Sequence, residues 1–113
     1  MDKSLFSYVM GEDGTLKITL EGEIDHHSAV NVRSDIDDLI FCKRPRRVVL
    51  DLSKISFMDS SGLGLIMGRY SLSKEVGAQL VLHSPTVAVM RILTLAGMEK
   101  IIKIEGENKN EKK

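Results

Sequence analysis

Phe6, Tyr8 and Met10 alternate with Ser7 and Val9, and Leu16, Ile18 and Leu20 alternate with Lys17, Thr19 and Glu21. Two period-two runs joined by Gly11-Glu12-Asp13-Gly14 predict a β-hairpin. Beyond Gly22 the period changes. Ala29, Val32, Ile36, Leu39 and Ile40 recur at helical spacing, with Arg33, Asp35, Asp37 and Asp38 assigned to the wet face and either Asp25 or Ser28 as the cap. Pro45 closes this segment, and the short β-branched run Val48-Val49-Leu50-Asp51-Leu52 reads as a central strand covered on both faces. A loop from Lys54 to Met58 then leads to Asp59-Ser60-Ser61-Gly62 and to a second helix carrying Leu63, Ile66, Met67 and Tyr70, ending near Gly77.

Gln79 to Leu82 predicts another strand, and Ser84-Pro85 fits the N-cap and N1 positions of a third helix. Val89, Ile92, Leu93 and Ala96 supply that helix's buried stripe, and Gly97 stops it. Ile101, Ile102 and Ile104 form a last short strand. The order ββαβαβαβ describes an α/β domain: a mixed sheet with an antiparallel first strand, otherwise parallel, joined by right-handed crossovers and flanked by helices. Residues 1–105 make the domain, and the charged residues 106–113 are expected to form a flexible tail.

Composition narrows the function. With 113 residues, 42% of them hydrophobic, the chain holds one core and has little room for a deep cavity. Sixteen basic residues offset sixteen acidic ones, which removes the long-range field that nucleic-acid binding relies on. Cys42 stands alone, so an internal disulfide and a cysteine-built zinc site are excluded; it reads as a small side chain near a helix end. The residues after Met1 lack a signal-peptide pattern, and no apolar run approaches the roughly 18 residues of a membrane span, so a cytoplasmic location without membrane contact is expected.

Functional groups of a parallel sheet collect where strands end and helices begin. Here those loops carry Asp25-His26-His27, Asp59-Ser60-Ser61 and His83-Ser84. The middle loop opens a helix containing Gly62, Gly64 and Gly68, each costing roughly 1 kcal/mol relative to alanine. Gly62 and Gly64 lie near the exposed end, where a missing side chain admits a partner's backbone, while Gly68 is open to a packing role.

Several enzyme patterns fail. The glycines run G-x-G-x-x-x-G, one residue longer than the dinucleotide fingerprint, and no G-K-[ST] follows them. Asp59-Ser60-Ser61-Gly62 does not match G-x-S-x-G, although His83 could approach a serine across the strand ends. Adjacent His26 and His27 diverge and do not meet one metal. Asp25 suits both a helix cap and an acid shown to a partner. Asp59 and Ser60 read equally as cap residues and as a modification site, since a phosphate there adds about −1.5 to −2 charges beside an existing carboxylate.

Gly22-Glu23-Ile24-Asp25-His26-His27, Val48-Val49-Leu50-Asp51-Leu52-Ser53, Phe57-Met58-Asp59-Ser60-Ser61-Gly62-Leu63-Gly64 and Leu95-Ala96-Gly97-Met98 together resemble the STAS-domain anti-sigma factor antagonists. The resemblance implies a cytoplasmic switch protein with no catalysis, cofactor or metal of its own. Its implied partner is an anti-sigma factor that is also an ATP-dependent serine kinase, with ATP held in the kinase's pocket. A metal-dependent serine phosphatase restores the binding form, and a sigma factor is freed indirectly, in sporulation or, alternatively, in general stress. Ser60 takes the position of the family's acceptor serine, and Asp25, Asp59, Ser60, Ser61, Gly62, Leu63, Gly64 and Arg69 form the expected docking surface. From a different class, a small nucleotide-binding or hydrolytic enzyme could use the same three loops.

Overall fold

The computed structural model describes residues 6–106. Its elements are β1 (Phe6–Met10), β2 (Thr15–Ile24), α1 (His26–Lys43), β3 (Arg47–Met58), α2 (Ser60–Glu75), β4 (Gln79–His83), α3 (Val87–Leu95), a 3-10 turn over Met98–Lys100 and β5 (Lys103–Glu105). The five strands lie in chain order, with β1 antiparallel to β2 and all later pairs parallel. The expected mixed α/β sheet is thus present. The tail, from residue 107 on, lies outside the described residues.

One core joins Leu16, Ile18 and Leu20 of β2 to Val48, Leu50 and Leu52 of β3 and to Leu80 and Leu82 of β4. The same cluster takes in Val32, Ile36 and Ile40 of α1, Leu65 and Ile66 of α2, and Val89 and Leu93 of α3. All three helices therefore cover one face of the sheet, as crossovers of uniform hand between successive strands require. This corrects the expectation that helices sandwich Val48–Leu52. Those residues are buried, but on the second face Val49 and Val81 sit in register between Lys17 and Lys103, whose methylene stems can shield apolar neighbours. Ion pairs Lys17–Asp51 at 3.7 Å and Arg47–Glu105 at 3.1 Å hold the charged ends of this layer together.

Several boundaries differ from the sequence reading. Lys54 to Met58 is strand, not loop: after register shifts, Glu21 pairs with Lys54 and Ile24 with Met58. The third helix is capped by Thr86, whose hydroxyl accepts from the Val89 N–H, while Ser84 takes a left-handed φ of 52° ahead of buried Pro85. Ala96 is exposed, and its place in the core is taken by Met98. Only Ile104 of the last three isoleucines lies in β5; Ile102 is buried in the turn before it.

Candidate functional site

The register that pairs Ile24 with Met58 sets the geometry of the site. One residue beyond each partner stands an aspartate, Asp25 or Asp59, with extended backbone, and each caps the helix that follows. Both caps satisfy N–H groups that the first helical turn leaves without partners. The Asp25 carboxylate accepts from the Ser28 N–H at 3.0 Å, and Ser28 Oγ in return accepts from the Asp25 N–H at 2.9 Å. The two alternative caps read from the sequence thus act as one reciprocal box. The bond from the Ser28 N–H, and after it one from the Ser28 hydroxyl to Asp25 Oδ1 at 3.0 Å, hold the Asp25 carboxyl below its ordinary range. The Asp59 carboxylate accepts from the Ser61 N–H at 2.8 Å, and the Asp59 N–H reaches the Ile24 carbonyl at 3.4 Å, tying the two loops together.

Ser60 is the first residue of α2, and it is exposed. Asp59, Ser61 and Leu63 are half-buried around it, and Gly64 is exposed one turn along. Gly62 differs from the sequence reading. It is buried, and a Cβ there would fall 2.6 Å from Met58 Sδ and 3.4 Å from Ile24 Cγ2. Close packing onto the strand ends therefore explains Gly62, not an approaching partner. The packing role considered for Gly68 is also overturned: a Cβ at Gly64 or at Gly68 would meet nothing within 4 Å.

Arg69 does not join this surface. It is only 5% exposed and lies against α1, its Nε 2.8 Å from Asp37 Oδ1. Asp37 accordingly leaves the wet face assigned to it and is half-buried. Phe57, 49% exposed two residues before Asp59, is an apolar neighbour of the site that the sequence did not single out, because periodicity gives no sign of an exposed aromatic.

The third loop is set back. His83, the last residue of β4, pairs with Asp51, seven residues before Met58. That is about 20 Å of extended strand, so His83 is kept away from Ser60 and Ser61, and the nucleophile–base pair considered from the sequence does not form. His26 and His27 are exposed, His27 lying 3.3 Å from the Asn31 amide. Among the described residues no group of three His, Cys, Asp or Glu side chains is placed to hold a metal ion. Cys42 is exposed near the end of α1. Among the described residues no helix is long and apolar enough to cross a membrane.

Two capped helix starts thus stand side by side at the ends of adjacent parallel strands, one of them presenting a serine. Residues 9–109 match the STAS domain. The chain belongs to the STAS-domain family of anti-sigma factor antagonists. It is 40% identical over 91 residues to the anti-sigma F factor antagonist of Paenibacillus polymyxa, covering 80% of this chain and 78% of that protein. Its fold superposes on the anti-sigma factor antagonist SpoIIAA in its unphosphorylated form with a TM-score of 0.76 and 30% identity, over 88% of this chain and 87% of that one. The phosphorylated form of the Bacillus cell fate determinant SpoIIAA gives a TM-score of 0.69 at 29% identity, over 88% and 90% of the two chains. The STAS fold thus carries the two aspartate-capped loops of this chain.

Proposed function

We propose that this protein is a cytoplasmic, phosphorylation-controlled anti-sigma factor antagonist of the sporulation type, with Ser60 as the acceptor. Unmodified, it binds an anti-sigma factor that is also a serine kinase, and the sporulation sigma F factor is released. The docking surface is the pair of helix starts, with Asp25 on one and Asp59, Ser60, Ser61, Leu63 and Gly64 on the other. ATP belongs to the kinase, and this chain contributes the hydroxyl. A metal-dependent serine phosphatase returns the protein to its binding form.

The observation that carries this reading is the exposed hydroxyl of Ser60 at the first position of α2, directly after the Asp59 cap. Phosphorylation adds about −1.5 to −2 charges there. The helix start has little left to neutralise them: the Ser61 N–H is already given to the Asp59 carboxylate and the Gly62 N–H to the Asp59 carbonyl at 2.9 Å. The phosphate therefore stands beside a fixed carboxylate, and a partner surface fitted to a small neutral serine meets bulk and concentrated negative charge. The core lies behind the caps, so the fold persists while docking fails.

Incubation with the cognate kinase and ATP, followed by phosphopeptide mass spectrometry, tests the assignment. Wild type should take up one phosphate at Ser60 and Ser60→Ala none; full-stoichiometry labelling of Ser60→Ala would refute it. Ser60→Asp should weaken kinase binding with an unchanged circular dichroism spectrum, and equal affinity would count against exclusion by charge and bulk.

A further inference from the structure

The face of α2 turned toward the rest of the protein holds Gly62, Leu65, Ile66, Arg69 and Ser73. Leu65 and Ile66 are its buried large apolar residues, Leu63, Met67, Tyr70 and Leu72 pack half-buried against the core from other sides of the helix, and Gly64 and Gly68 make no contact where a Cβ would sit. Apolar side chains spread round a helix in this way fix its distance from its neighbours better than its rotation about its own axis, because apolar contact is non-directional. A directional restraint is supplied by Arg69. Its guanidinium reaches across to α1, with Nε 2.8 Å from Asp37 Oδ1 and Nη2 donating to Asp37 Oδ2 at 3.4 Å, while Nη1 donates to the Leu65 carbonyl of its own helix at 3.4 Å. Among the described residues this is the one ion pair that joins two helices.

We propose that the Asp37–Arg69 pair phases α2 so that Ser60 faces outward, which makes Arg69 a positioning residue for the switch. Ser60 and Arg69 are nine residues apart on one helix, about two and a half turns, and so point to opposite sides. Holding Arg69 against α1 turns Ser60 to solvent; a rotation that frees Arg69 draws Ser60 inward. The same contact links α2 to α1, the helix that carries the Asp25 cap, so the two halves of the docking surface are set in one register.

Stability does not account for the pair. Arg69 is almost fully desolvated, and the shortest contact, Nε to Oδ1, is not aligned as a hydrogen bond. Burial pushes the Asp37 carboxyl above its ordinary range despite the attraction of Arg69 and of Arg33 on the exposed side of α1. Under these conditions the Coulomb gain roughly repays desolvation, and apolar replacement of both partners is commonly tolerated, so direction is what remains for the charges to contribute.

The readout at Ser60 rests on the function proposed above, and the test separates the two. Nitroxide labels at Val30→Cys on α1 and Ser71→Cys on α2, in a Cys42→Ser background, report the interhelical distance without any partner. Kinase affinity is measured on the unlabelled proteins. In Asp37→Leu/Arg69→Met the melting temperature should stay within about 3 °C of wild type. The distance distribution should broaden and kinase affinity should fall about tenfold, while Arg69→Lys, which retains a charge, recovers part of both. Wild-type distances and affinity in the double replacement overturn the proposal. So does a melting temperature that drops in proportion to the affinity, since the pair would then be a stability element only. If wild type fails to bind the kinase and the labels still report broadening, the phasing stands and the functional reading falls.

Discussion

Alanine at each glycine of α2 separates packing from recognition. An α-helical glycine costs about 1 kcal/mol relative to alanine, chiefly through the backbone freedom lost on folding. At Gly64 and Gly68 a methyl group meets no atom within 4 Å, so nothing in the fold offsets that cost. Each substitution should therefore stabilise by about 1 kcal/mol, which for a domain of this size raises the melting temperature by about 4 °C. At Gly62 the methyl would displace buried Met58, whose Cγ and Sδ lie inside its contact radius. Overpacking of this kind costs about 1–3 kcal/mol, which places Gly62→Ala about 4–12 °C below Gly64→Ala. Thermal melts followed at 222 nm on the three single variants give the order directly. Kinase binding should run against stability at Gly64, where a methyl on the proposed docking surface should weaken affinity about tenfold. A Gly64→Ala protein that melts below wild type, or a Gly62→Ala protein that melts level with Gly64→Ala, would contradict the packing around α2.

Two further outcomes follow from the caps and the charged layer. Ser28→Ala removes the acceptor for the Asp25 N–H and should destabilise by about 1–2 kcal/mol in urea unfolding, with the slope unchanged. The Asp51 carboxyl is pulled down by hydrogen bonds from the Ser53 N–H and hydroxyl and by Lys17 and His83, overcoming the opposing effect of burial, and Asp25 is likewise lowered. A carboxyl whose folded value lies below its unfolded 3.8 contributes stability in full above that pH and loses it as pH falls through the folded value, so acid unfolding should steepen below about pH 4. Asp51→Asn should flatten this limb, as read from urea midpoints at pH 6 and pH 3. Asp37, raised by burial, acts in the opposite sense, and Asp37→Asn should leave the acid limb no shallower.

Much of the architecture was legible because local periodicity and burial agree. The alternation in β2, the stripe of α1 and the aspartates ahead of both long helices announce their roles within a few residues of sequence. The placement of Asp59 and Ser60 at a helix start was equally legible, since they occupy the cap and first-turn positions that their side chains prefer.

Other features rested on contacts distant in the chain. Lys54-Ile55-Ser56-Phe57 alternates in the sequence but burial over residues 53–58 does not, because register shifts break the pleat, and pairing with the far half of β2 makes them a strand. That extension carries Asp59 and Ser60 beyond the level of His83, which no local pattern could reveal. Which glycine is walled in, and whether Arg69 points to solvent or to Asp37, depended on what α1 and the strand ends place opposite α2. Period and capping chemistry are properties of neighbouring residues, so the sequence alone determined the elements and the candidate hydroxyl. Rotation, depth and partnership between elements are properties of surfaces brought together from across the chain, and these the tertiary structure decided.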